Sequence, residues 1–316
     1  MKTEGLFALC FFAFFLASCE KEDDNDNTGN TITDIVVNTD DFSTLESAVL
    51  KADVQATLSG TGPYTVFAPD NAAFTASGVT NAVLNSLTAD QAKAILLYHT
   101  LSASVPSGSV PAGPNAKVTT ASGDSVFVTR NARGVFVNGV RVTQADITAS
   151  NGVIHRIGSV LMPPVGNIVQ TASAPGSGLD SLVKAVTRAT TAPGGDPSLA
   201  ATLSSATLTV FAPNNAAFTQ LLSALSLTDI NQIPVNTLLS VLRYHVVAGR
   251  AFSSDLANGN LAMLAGGNTT INLTNGADGG PTITGSGNGA NRSNITMANI
   301  VARNGVVHMI DRVLLP

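Results

Sequence analysis

A ten-residue block occurs twice in this chain. "TVFAPDNAAF" runs from Thr65 to Phe74 and "TVFAPNNAAF" from Thr209 to Phe218, with Asp70 changed to Asn214 as the one difference. Two further blocks recur in the same order. "LLYHTL" (Leu96–Leu101) returns as "VLRYHVV" (Val241–Val247), and "NGVIHRIGSVLMP" (Asn151–Pro163) returns as "NGVVHMIDRVLLP" (Asn304–Pro316). The spacing far exceeds the roughly 20–50 residues of a solenoid unit, so the chain is a duplicated domain. The spacing also widens along the chain. The second copy has longer loops, chiefly the Gly/Asn-rich stretch Gly267–Asn291, and insertions of that kind sit on surfaces. The first copy is placed at residues 31–164 and the second at 165–316. "PPVGN" and "ASAPGSG" at the seam both have linker chemistry.

Each copy has a readable order of elements. In Phe42–Leu58, the residues Phe42, Leu45, Val49 and Ala52 fall at helical spacing. Its counterpart, Gly178–Thr190, sets Leu179, Leu182, Val183 and Val186 on one face. "YTVF" and "LTVF" read as short strands, which Ala-Pro is expected to stop because proline cannot join a central ladder. Asp70 or Asn214 then caps a new helix, and Asn71 or Asn215 follows it. Asp and Asn are interchangeable caps, which accounts for the mismatch in the opening block. Phe74 and Phe218 would turn that helix onto the core. Leu87–Leu101 is an amphipathic helix with Thr88 as its cap. Pro234–Val247 matches it, with proline at a first-turn position. The region Ser125–Val142 is β-structure, with Asn138-Gly139 as a hairpin turn. Helices gather in the first half of each copy and strands in the second, so the fold class is α+β.

These motifs carry a resemblance. A strand followed by "FAPxNxAF" and a helix, then "YH" at a helix end, then "NGxxHxIxxVLxP", is similar to the fasciclin-type domain, and the match covers both copies. The resemblance implies a twisted β-sheet wedge with several helices in each copy. It also implies adhesion or matrix roles outside the cell; it does not imply an established enzyme activity, and none is expected.

The N-terminus points to an anchored protein. Lys2 precedes the apolar run Leu6–Ser18, which is long enough for a secretory leader and too short to span a bilayer. Residues 1–18 resemble a lipoprotein signal peptide, with Cys19 as the lipidated residue. Cys10 falls inside the leader, so the mature domains hold no thiol and no disulfide. An acidic tether at 19–30 follows. It is similar to the surface-export signal of Bacteroidetes lipoproteins, so the expected location is the outer membrane facing outward, or otherwise the periplasm. Beyond the tether the charges nearly cancel, which leaves no electrostatic footprint for nucleic acid.

All four histidines, His99, His155, His245 and His308, lie in repeated blocks. Two readings compete. In one, Tyr98-His99 and Tyr244-His245 form a binding surface, since some animal members of the family engage integrins through a Tyr-His region. In the other, all four rings fasten elements to backbone carbonyls, and Asn151 and Asn304 belong to the same framework. Their persistence in both copies, while the loops have diverged, fits the second. Two histidines per copy and no thiol do not make a zinc site, and no EF-hand loop is present, so neither metal nor cofactor is expected. "GDSV" (Gly123–Val126) reads as a polar turn and not as a hydrolase serine block. Asp124–Val126 and Asp180–Leu182 resemble short O-glycosylation acceptor patterns. The function expected is a lipid-anchored adhesion or binding module for a protein or polysaccharide. The alternative is an accessory protein or enzyme of envelope polysaccharide uptake.

Overall fold

A computed structural model describes residues 29–316. The leader, Cys19 and nearly all of the tether lie outside the described residues. The first copy begins with α1 (Ile32–Val37), α2 (Ser43–Lys51) and α3 (Gln55–Leu58), then β1 (Tyr64–Pro69). Helices α4 (Asn71–Ala76), α5 (Asn81–Ser86) and α6 (Ala89–Tyr98) follow. The remaining strands are β2 (Thr100–Leu101), β3 (Gly113–Thr119), β4 (Ser125–Asn131), β5 (Gly134–Val137), β6 (Val140–Ala149) and β7 (Gly152–Ile157). The second copy repeats this plan. It has α7 (Ile168–Ala172), α8 (Asp180–Thr191), α9 (Pro197–Ser205), β8 (Leu208–Pro213), α10 (Asn215–Ala224) and α11 (Val235–Arg243). Its strands continue with β9 (Val246–Ala248), β10 (Gly259–Ala262), β11 (Asn268–Asn272), β12 (Thr282–Gly285), β13 (Ser293–Ala302) and β14 (Gly305–Ile310).

Each copy builds one seven-stranded sheet, in the order β2-β1-β7-β6-β5-β4-β3 or β10-β11-β12-β13-β14-β8-β9. The ladders are antiparallel except for β1 with β7 and β8 with β14, which run parallel. The hairpin expected at Asn138-Gly139 joins β5 to β6, and both turn residues have positive φ, 48° and 75°.

The paired central strands are buried on both faces and therefore read as unbroken apolar runs. In β1, Val66 and Ala68 face the helices while Phe67 faces the hairpins. In β8, Val210 and Ala212 face the helices and Phe211 the hairpins. Burial of each central phenylalanine contributes roughly 1.5–3 kcal/mol.

Two expectations need correcting. The helix expected over Phe42–Leu58 breaks in two, because Asp53 adopts φ 51° between α2 and α3. Ala-Pro does end each strand, but from inside the ladder: Pro69 and Pro213 are the last residues of β1 and β8 and pair with Ile157 and Ile310. Proline is tolerated there because β2 pairs only with Thr65 and Val66, which leaves no ladder neighbour on that side at Pro69. Helix α9 has no counterpart among the sequence expectations; it begins with Asp196 accepting from Ser198 N–H and with proline at its first position.

The parallel contact is tight where β7 and β14 begin. A Cβ added at Gly152 would lie 2.1 Å from the Tyr64 carbonyl oxygen, and one at Gly305 would lie 2.0 Å from that of Leu208. Gly152→Ala is therefore expected to destabilise the first copy by about 1–3 kcal/mol, the usual cost of overpacking. Urea denaturation checks this, and an unchanged midpoint would show that the strands have slack.

Candidate functional site

The Tyr-His pairs sit at the ends of α6 and α11 and point inward. Tyr98 and Tyr244 are 0% and 1% exposed, and His99 and His245 are 1% and 2% exposed. The sequence offered these four residues as a binding surface, and their burial removes them from any direct contact with a partner. The His99 Nδ1 donates to the Ile95 carbonyl at 2.8 Å, and its Nε2 accepts from Leu161 N–H at 2.9 Å. His245 repeats this with Val241 at 2.7 Å and Leu314 at 2.9 Å. An acceptor on one side and a donor on the other fix the neutral Nδ1-protonated ring. Each ring thereby ties a helix C-terminus to the segment just after the last strand of its copy. The Tyr98 hydroxyl donates to the Ser125 carbonyl at 3.1 Å and accepts from Asn138 Nδ2 at 2.9 Å, and burial pushes its pKa up to about 12.

The second histidine of each copy uses the opposite tautomer. His155 Nε2 donates to Val105 O at 2.9 Å, and His308 Nε2 to Ala251 O at 2.9 Å. Their Nδ1 atoms accept from Asp146 N–H at 3.2 Å and Asn299 N–H at 3.3 Å. The rings lie against the central phenylalanines, with centroids 5.7 Å apart for Phe67–His155 and 5.3 Å for Phe211–His308.

The asparagines just before β7 and β14, Asn151 and Asn304, are three-way clamps. Asn151 Oδ1 accepts from Ile32 N–H at the start of α1, while its Nδ2 donates to Leu58 O at 2.8 Å and Gly60 O at 2.7 Å. Asn304 does the same with Ile168, Leu203 and Ala206. Asp70 and Asn214 cap α4 and α10, each accepting at 2.8 Å from the N–H of Ala73 or Ala217. Asn71 reaches back to Asp40 O and Ser43 Oγ, and Asn215 to Asp180 Oδ2 and Ser181 N–H. Every polar side chain shared by the repeated blocks thus bonds within its own copy.

Among the described residues, no group of three or more His, Cys, Asp or Glu converges as metal ligands would. Two pockets beside the helices are small and apolar. One, of about 60 Å³, lies between α5 and α6, and one of about 80 Å³ lies beside α7 and α8. A wider groove of about 440 Å³ opens where the copies meet, with Asn131 and Arg133 on one wall and Asp255 and Asn258 on the other. The sequence reading missed this seam. Its signal was available as divergence between the copies in the loop after the Tyr-His block.

The buried rings make stability depend on pH. Burial lowers the pKa of His99, His245 and His308 from 6.5 to about 4. Between those values the unfolded chain binds protons that the folded chain refuses, so stability is complete above about pH 6.5 and falls as pH drops toward 4. The urea midpoint is expected to fall steadily over that window. A flat profile would mean that the rings titrate as freely as in the unfolded chain.

Comparison with known proteins agrees with this architecture. A sequence profile of the fasciclin domain matches residues 40–163 and 184–316. Protein sll1483 of Synechocystis is 37% identical over 137 residues, covering 43% of this chain and 74% of that protein. The transforming growth factor-beta-induced protein ig-h3 of Sus scrofa is 38% identical over 136 residues, covering 42% of this chain and 19% of that protein. Human periostin is 33% identical over 138 residues, covering 43% of this chain and 16% of that protein. A solved FAS1 domain pair from the insect cell adhesion molecule Fasciclin I aligns over 87% of this chain and 97% of that one, at 18% identity and a TM-score of 0.39. With two profile matches in tandem and the same buried framework in each copy, the chain belongs to the fasciclin-domain family.

Proposed function

We propose that this protein is a lipid-anchored binding module of a bacterial cell envelope, which adheres to a surface protein, a matrix protein or a polysaccharide. The observation that carries this reading is the engagement of the shared polar residues. The four histidines and the paired asparagines all bond within their own copy, and among the described residues no group of three or more His, Cys, Asp or Glu converges. What remains free is surface and loop, and that is where binding proteins carry recognition. Among the relatives is Fasciclin-1 of Schistocerca americana, and the solved FAS1 domain pair comes from an insect cell adhesion molecule, Fasciclin I. Lipidation at Cys19 would hold the chain to the membrane, and the acidic tether would raise the domains above it.

Three measurements test the proposal. Mass spectrometry of the mature protein is expected to find acyl chains on Cys19, and protease treatment of whole cells to release the domains. A screen of the mature chain against envelope and host glycans and proteins is expected to return a ligand that survives unmodified. Turnover of a bound polysaccharide, or a mature N-terminus without lipid, would contradict the reading.

A further inference from the structure

We propose that the two copies are locked into one rigid body by a seam that the duplication encodes only once, with Arg250 as its pin. Any partner then meets a single composite surface, whatever its chemistry. Arg250 lies in the loop between β9 and β10. Its guanidinium donates to the carbonyls of Ala302 and Arg303, both at 3.1 Å, and to that of Gly305, all at the β13–β14 turn of its own copy. Held from behind, it lies over the Phe127 ring of the first copy, 4.1 Å from the centroid. A desolvated guanidinium on an aromatic face is attracted by the ring quadrupole.

Polar contacts surround the pin. Asn115 Nδ2 donates to Arg250 O at 2.6 Å, and Asn131 Nδ2 donates to Ser254 O at 3.0 Å. The Arg133 guanidinium donates to the carbonyls of Ser254 and Leu256. The Thr129 hydroxyl donates to the Asp255 carboxylate at 3.3 Å, and Arg303 pairs with Asp124 at 3.9 Å. Phe252 packs on Phe127 with ring centroids 6.0 Å apart. Backbone carbonyls of the 250–256 loop are thus met by side-chain donors from β3, β4 and the β4–β5 turn, which satisfies acceptors that the seam would otherwise strand. The linker adds little slack. Leu161 N–H is bonded to His99 and Gly166 O accepts from Arg303 N–H, so only residues 162–165 lie between fixed points.

The two copies can be aligned by equivalent hydrogen bonds, and the alignment shows that the seam occurs once. Thr65 Oγ1 accepts from Val105 N–H as Thr209 Oγ1 does from Ala251 N–H, so Arg250 corresponds to Ser104 and Phe252 to Pro106. Tyr98 bonds Ser125 O as Tyr244 bonds Asn268 O, so Phe127 corresponds to Thr270. A head-to-tail contact present in both copies would let chains add end to end without closing. Here the first copy lacks the pin and the second lacks the ring, so the contact stops at the pair.

Distance measurements between spin labels test this. The full chain would carry Lys93→Cys and Lys184→Cys, with Cys10 and Cys19 replaced by serine so that only these sites label. Both lysines are exposed and lie on different copies. A single narrow distance distribution is expected. Arg250→Ala and Phe127→Thr should each broaden it severalfold while circular dichroism stays unchanged. Phe127→Thr installs the second copy's own residue and removes no hydrogen bond, so it reads the seam even where Arg250→Ala disturbs its loop. A broad distribution in the parent chain, or one that stays narrow in a chain carrying both Arg250→Ala and Phe127→Thr, would overturn the proposal.

Discussion

Each copy is closed by a parallel contact between two strands far apart in sequence, so close at its start that only glycine fits. Gly152 lies against the Tyr64 carbonyl and Gly305 against that of Leu208. The preceding asparagine then uses its whole amide to hold the first helix and the end of the third helix at the same corner. Closing so long a loop carries an entropic cost that local helices cannot offset alone. The contact succeeds because burial and hydrogen bonding converge on it. The strands are sandwiched between two apolar layers, and the two histidine rings of each copy fasten both ends of the wedge.

This arrangement explains why the duplicated blocks stay alike while the loops do not. A buried polar group left without its partner costs about 1–3 kcal/mol, so each member of such a network restrains the others. His99 cannot change without stranding Leu161 N–H, and Asn151 cannot change without stranding Ile32 N–H. The loops carry no such debt. They are free to acquire recognition surfaces or, after β9, the residues that join one copy to the other.

Much of the framework was legible in the sequence. The repeat gave the domain count. Asp70 and Asn214 were readable as caps because a cap is a local event between residues three apart. The hairpin at Asn138-Gly139 was legible for the same reason. What escaped was set by tertiary contact. Nothing local marks Asp53 as a left-handed break, and the extension of β1 through Pro69 depends on where β2 ends. The Tyr-His pairs invited two readings because sequence reports residue type and not exposure. Burial decides between them. Arg250 was invisible because its partner ring lies in the other copy.

The central claim is that the residues common to both copies are packing framework and not a recognition surface. Nitrogen-15 shifts of the histidine rings test it most directly. At about pH 5.5, between the ordinary value of 6.5 and the buried value of about 4, an exposed ring is mostly protonated. The account predicts neutral rings at His99 and His245 with the proton on Nδ1, and a neutral ring at His308 with the proton on Nε2. Rings that are charged at that pH, or that average between tautomers, would contradict it.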